Sequence, residues 1–161
     1  VNLTILGNRA GMPANGQPSS GYLVTTDDAM VLLDCGPGVA TALSAITTPD
    51  QLSAIVVSHL HLDHCYDVLP LGKSLLARAL PSPDVEIPSV PLYVPVGATD
   101  VLRTLADLFR IPTLPILDRA FDLAFDVREY RPGDRMTVAD LEISLTGLRH
   151  SAPNCWPRPR C

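Results

Sequence analysis

Apolar residues along this chain fall into two rhythms, one of strands and one of helices. Short apolar or alternating runs read as strands at Leu3 to Leu6, Leu52 to Ser58, Leu92 to Val96, Phe121 to Tyr130 and Met136 to Leu148. Gly21 to Thr26 and Ala29 to Asp34 read as a hairpin over Asp27-Asp28. Helical spacing takes over from Pro37 to about Ile46, and again from Asp67 to Leu80, where Leu71, Leu75, Leu76 and Ala79 share one face. A third helix is expected from an N-cap at Thr99 to about Phe109. Between these elements lie Gly- and Pro-bearing connections: a long loop from Gly7 to Ser20, the turn Cys35-Gly36-Pro37-Gly38, and a linker from Pro81 to Pro91. An irregular stretch from Ile111 to Ala120 and a turn at Pro132-Gly133-Asp134 complete them. Strands and helices alternate and then strands cluster, so the expected class is α/β (α+β) with a mixed sheet.

Composition narrows the picture. A chain of 161 residues that is 47% hydrophobic can bury one domain core. The net charge of −5 argues against a broad basic nucleic-acid surface, and the single lysine, Lys73, beside many arginines reads as a genome bias and not as chemistry. No run approaches the ~18 apolar residues of a membrane span. The opening Val1 to Gly7 has no basic leader region, and Cys35, Cys65, Cys155 and Cys161 form no CxxC pair. We therefore expect reduced thiols in a cytoplasmic protein without a membrane partner.

The chemistry concentrates after the fourth strand, in His59-Leu60-His61-Leu62-Asp63-His64. Three of the four histidines and a carboxylate stand within six residues, on a base made rigid by a buried strand. His59 and His61, two apart, point to one side of an extended segment. His64 can turn towards a second metal if the chain tightens into a helix start, and Asp63 beside it completes half of a second site. Imidazole and carboxylate donors suit zinc, with Mn2+ or Fe2+ as alternatives. The remaining histidine, His150, is the candidate third ligand of the first metal. Asp34 ends a strand before a Gly turn and is expected to orient a metal-ligating histidine from behind. Cys65 and Tyr66 read as packing residues, and Asn8, Ser19 and Ser20 as ordinary turn polars.

The HLHLDH string resembles the HxHxDH motif of the metallo-β-lactamase superfamily. More of the chain agrees: LTILGNRAGMPANGQPSSGYLV, VLLDCGPG, SHLHLDHCYDVLPL and RHSAPN are similar to segments of its branch of ribonuclease Z and cyclic-nucleotide phosphodiesterases. The resemblance runs from Leu3 to about Asn154. It implies an αββα sandwich with a two-zinc site at one end. It implies that His59, His61 and His150 bind the first metal, that Asp63 and His64 bind the second, and that Asp63 serves catalysis beside the attacking hydroxide. The implied reaction is metal-assisted hydrolysis of a small or cyclic-nucleotide phosphodiester. Ribonuclease Z-like processing of transfer RNA ranks lower, because no Gly-rich basic arm accompanies Arg78, Arg103, Arg110 and Arg119. A thioester, lactone or β-lactam hydrolase shares the same ligands and ranks lower still.

Two family elements are missing from this sequence. No histidine follows His150, and no acidic residue follows Glu142, so the later aspartate and histidine of the family are not here. We expect the N-terminal half to two-thirds of the sandwich, an incomplete domain over residues 1–154. Residues 155–161, rich in Pro and Arg, are expected to be a non-homologous tail without strand character, on a truncated or frame-shifted chain. Such a piece should leave one apolar sheet face uncovered, favour homo-oligomers and turn over little substrate. A non-catalytic metal-binding fragment that associates with another chain is the alternative of a different class.

Overall fold

A computed structural model describes residues 1–80, 89–150 and 155–160. Six strands form the larger sheet: β1 (Asn2–Gly7), β2 (Gly21–Thr25), β3 (Met30–Leu33), β4 (Ala54–Val56), β5 (Val90–Pro95) and β6 (Phe125–Tyr130). They lie side by side in chain order. The first three are antiparallel neighbours, and β3 to β6 run parallel. The parallel half is built by crossovers through α1 (Val39–Ser44), then α2 (Leu62–Cys65) with α3 (Val68–Ala79), then α4 (Ala98–Leu108). A second sheet holds β7 (Arg135–Val138), β8 (Leu141–Gly147) and β9 (Cys155–Arg160), all antiparallel.

Strand alternation divides the interior into two cores. Leu23, Leu32, Ile55 and Leu92 pack with Leu43, Leu75, Leu76 and Leu102 on the helical side. Val24, Val31, Leu33, Ala54 and Val56 pack with Leu141, Ile143 and Leu145 of the smaller sheet. Adjacent residues of β3 and β4 thus serve opposite faces, as the period of two requires. A central parallel sheet buried on both faces reads as a continuous apolar run, and Ala54-Ile55-Val56-Val57 is one.

Several expectations are corrected here. Gly97, at φ 84, precedes α4 instead of Thr99. The Thr99 hydroxyl instead donates to Glu129 Oε1 at 2.8 Å. The run from Phe121 is not all strand, because Ala120–Ala124 forms a wide helical turn that buries Phe121 before β6 begins. Met136 to Leu148 is two strands, folded back at Ala139, whose φ of 51 reverses the chain. Cys155–Arg160 is a strand after all. Cys155 and Pro157 are buried and Arg158 is exposed, an inward-outward alternation. Prolines fit here because β9 is an edge strand, where one side of the backbone has no ladder to donate to.

The uncovered face is smaller than expected, because the second sheet caps β2, β3 and β4. What stays open is the β1 margin. Val1, Leu3 and Ile5 are exposed there, and a cavity of about 310 Å³ separates Leu3 and Tyr22 from Pro157 and Pro159. Of the proline-studded linker, residues 81–88 lie outside the described residues, as do 151–154 and 161. Among the described residues no helix is long and apolar enough to cross a membrane.

Candidate metal centre

The site lies beyond the carboxyl end of β4, near the middle of the larger sheet, where parallel strands leave a crevice. The loop after Val56 is tied down from several sides. The Val57 N–H donates to the Tyr93 carbonyl at 2.9 Å. The Tyr130 hydroxyl, on β6, reaches the carbonyls of Val57 at 2.7 Å and Ser58 at 3.1 Å. The Cys155 N–H, at the start of β9, meets the Ser58 carbonyl at 3.1 Å, so the smaller sheet is seated against the motif. His61 is still extended, and the chain then winds into α2, which carries Asp63 and His64 in a single turn.

Three imidazole nitrogens converge above this base. His59 Nε2, His61 Nδ1 and His150 Nε2 stand 3.2 Å from one another on all three sides. Three nitrogens around a tetrahedral ion at about 2.0–2.1 Å are separated by about 3.3 Å, so this triangle has the size of one face of a zinc coordination tetrahedron. The donor chemistry also fits, since neutral imidazoles with lone pairs aimed at one point repel unless a cation sits between them. His59 is buried, His61 half-buried and His150 exposed, so the triangle opens to solvent on one side. Burial, reinforced by the neighbouring His64, pushes the His59 pKa down to about 4, which keeps its ring neutral and able to donate a lone pair.

Asp63 and His64 sit together beside the triangle, with Asp63 Oδ2 at 3.5 Å from His64 Nε2. They are not among the three groups that converge. Asp63 Oδ2 accepts the Gly11 N–H at 2.8 Å, and the Asp63 carbonyl accepts the Ser20 N–H at 3.1 Å. Burial alone would raise the Asp63 pKa, but the Gly11 N–H and the His64 charge hold it below the usual carboxylate range. The close approach of loops requires Gly36, where any Cβ would collide with the Asp63 carbonyl.

Asp34 lies at the floor, 3% exposed, in the left-handed backbone region with φ 59. A non-glycine residue is uncommon there, although Asp and Asn tolerate it best. The conformation turns its carboxylate under the histidines. Oδ2 accepts His64 Nδ1 at 2.6 Å, Ser58 Oγ at 3.0 Å and Ser20 Oγ at 3.2 Å, while Oδ1 accepts the Ser58 N–H at 2.7 Å. Burial works against a charged His64, but the hydrogen bond and charge of Asp34 outweigh it and raise its pKa.

Ser20 and Ser58 therefore belong to the site, and a reading of Ser20 as a turn polar missed its burial against Asp34. Ser58 stands directly before the first histidine of the motif, which was the one local signal for it. Cys65 is buried, its Sγ donating to the His61 carbonyl at 3.3 Å, and burial pushes its thiol up to about 12. It packs and does not converge with the histidines. A cavity of about 240 Å³ adjoins the histidines, lined by Ser58, His59, His64, Arg149, His150 and Cys155 among others.

Comparison with known proteins agrees with this architecture. The chain is 31% identical to a ribonuclease Z of Clostridium perfringens over 162 aligned residues, covering 95% of this chain and 49% of that protein. It is 38% identical to the probable metallo-hydrolase YhfI of Bacillus subtilis over 71 residues, 44% of this chain and 29% of that one. The chain thus spans about half the length, or less, of these curated relatives. The crystal structure of the metallo-β-lactamase fold protein YhfI from Bacillus subtilis superposes with a TM-score of 0.77 at 22% identity, over 98% of this chain and 58% of that one. The crystal structure of human tRNase Z, short form, gives 0.71 at 20% identity, over 98% of this chain and 63% of that one. A diphosphatase of the PhnP family gives 0.65 at 19% identity, over 98% of this chain and 61% of that one. The family described as the beta-lactamase superfamily domain matches residues 29–160. With that match across most of its length, the chain belongs to the metallo-β-lactamase superfamily of hydrolases.

Proposed function

We propose that this chain carries the metal-binding half of a zinc-dependent phosphodiesterase acting on a small or cyclic-nucleotide phosphodiester. The observation that carries the reading is the triangle of His59, His61 and His150 nitrogens, 3.2 Å on each side. These three would hold the first ion, and Asp63 with His64 would contribute to a second. A divalent ion at such a site supplies positive charge that offsets phosphate oxygens and acidifies water. The chain's own groups do the rest. Asp63, kept ionised by the Gly11 N–H, can accept a hydrogen bond from an attacking water. Asp34 orients His64, and Arg149 on the cavity wall can face a phosphate oxygen.

Charge pairing favours a small substrate over RNA. Arg78, Arg103, Arg110, Arg128 and Arg135 each face their own carboxylate, and Lys73 pairs with Asp118. Cations already neutralised in this way offer little to a polyanionic backbone. A ribonuclease Z-like activity is the second reading, supported by the Clostridium perfringens relative that aligns with 95% of the chain. A metal-binding fragment that works beside another chain is the reading of a different class, supported by the small donor count around Asp63.

The test is metal counting on chelator-stripped protein reloaded with zinc, followed by assay with a chromogenic phosphodiester and with a precursor transfer RNA. We expect one firmly held zinc per chain, its loss on combined His59→Ala and His61→Ala substitution, and slow turnover of the small ester only. Absence of bound zinc, or zinc uptake that survives the double substitution, would sink the reading. Cleavage of the RNA but not the ester would replace it with the second.

A further inference from the structure

One hydroxyl determines where two protons lie at the floor of the site. Ser58 Oγ is 3.0 Å from Asp34 Oδ2 and 3.0 Å from His59 Nδ1. A hydroxyl has one proton to give, and an ionised carboxylate can only accept. The Ser58 proton therefore goes to Asp34, a direction fixed further by the Ser58 N–H, which donates to the other oxygen of the same carboxylate at 2.7 Å. What Ser58 Oγ presents to His59 is a lone pair, so His59 Nδ1 must be the donor. The His59 proton then sits on Nδ1, and its lone pair on Nε2 faces His61 and His150.

Asp34 acts on the second half-site without an intermediary. His64 Nδ1 donates to Asp34 Oδ2 at 2.6 Å, which leaves His64 Nε2 on the side of Asp63. We propose that Ser58 is a positioning residue that relays the acceptor character of Asp34 to His59, so that one buried carboxylate sets the tautomers of a histidine in each half of the site. The buried hydroxyl has no other orientation that satisfies both neighbours. Ser58 is 4% exposed, and no buried side-chain polar atom among the described residues lacks a partner. Partners that fix the tautomer of a ligand histidine commonly change metal affinity ten- to a hundredfold when removed. Only this consequence for affinity rests on the metal-site reading. The tautomer itself is a property of the chain without metal.

The experiment is long-range proton–nitrogen NMR on metal-free protein labelled at histidine nitrogen, at a pH where both His59 and His64 are neutral, on the wild type, Ser58→Ala and Ser58→Thr. Zinc titration of the same three proteins accompanies it. The wild type should show His59 protonated at Nδ1. Ser58→Ala should bring in the Nε2-protonated form at His59 and leave His64 unchanged, since Asp34 still holds it directly. Zinc affinity should fall on the order of ten- to a hundredfold, and Ser58→Thr, which restores the hydroxyl, should recover both. Nε2 protonation of His59 in the wild type overturns the proposal even if Ser58→Ala fails to fold. So does a His59 that stays Nδ1-protonated in folded Ser58→Ala. A wild type that takes up no zinc, but loses the Nδ1 proton on Ser58→Ala, overturns the phosphodiesterase reading and upholds the relay.

Discussion

His59 and His64 are adjacent rings with opposite acid–base behaviour, and the difference comes from what each one touches. His59 is buried among other imidazoles, and its pKa is pushed from 6.5 to about 4. The unfolded chain therefore binds a proton between those values that the folded chain does not. Stability of the metal-free protein should fall as pH drops from 6.5 towards 4. His64 has the opposite sign. Its pKa is raised by Asp34, so its contribution is fully present below 6.5 and is lost only as pH rises through the higher folded value. It does not cancel the first effect. Urea unfolding of chelator-treated protein across this range should show a falling midpoint, and His59→Gln should flatten it. An equally steep fall in that variant would remove His59 as the cause. At this scale the motif histidines and Asp34 were legible, because residue type and spacing carry donor chemistry. Ser20, Ser58 and the Gly11 N–H were not, because a serine or a backbone amide becomes part of a site only through what is packed against it.

Elements hold these residues in place through a few long-range ties. The Tyr130 hydroxyl joins β6 to the strand end that carries the motif, at the carbonyls of Val57 and Ser58. Tyr130→Phe leaves the ring in the core and removes only that tie. It should cost about 1–3 kcal/mol, the range for leaving a buried acceptor without its donor, measured by chemical denaturation. Gly36→Ala is a harsher probe of the same region. Its Cβ would meet the Asp63 carbonyl, so the loop carrying Asp63 and His64 must move. We expect lower stability together with weaker zinc uptake, and unchanged uptake would show that the second half-site tolerates the shift. Element type was mostly readable, but boundaries failed at recognisable places. Ala120–Ala124 has the apolar run of a strand, yet packs Phe121 inward as a turn. Cys155–Arg160 looked like a tail because its prolines break strand propensity, a rule that an edge strand relaxes.

The whole molecule is two cores sharing one sheet. β4, and with it His59 and His61, is held from both faces, whereas β8, which leads towards His150, is held by the core between the sheets. Truncations in the two cores should therefore differ. Ile143→Ala, between the sheets, should cost about 2–5 kcal/mol and also weaken zinc binding by loosening the His150 side of the triangle. Leu102→Ala, on the helical side, should cost a similar amount and leave zinc affinity of the folded protein nearly unchanged. Calorimetry of zinc binding on both variants separates the cases, and equal affinities would mean that β8 does not position His150.

The order of residues by itself determined a layered α/β domain and a strand followed by a histidine-rich turn, because alternation, helical spacing and donor type are local properties. It could nominate His150 but could not place it. Only the folding of the smaller sheet onto the larger one brought that ring within 3.2 Å of both His59 and His61, across separations of 91 and 89 positions. The same holds for Asp34 beneath Ser58 and His64. Contacts at such distances along the chain depend on which strands become neighbours and on which face each side chain takes, and these follow from packing two cores at once.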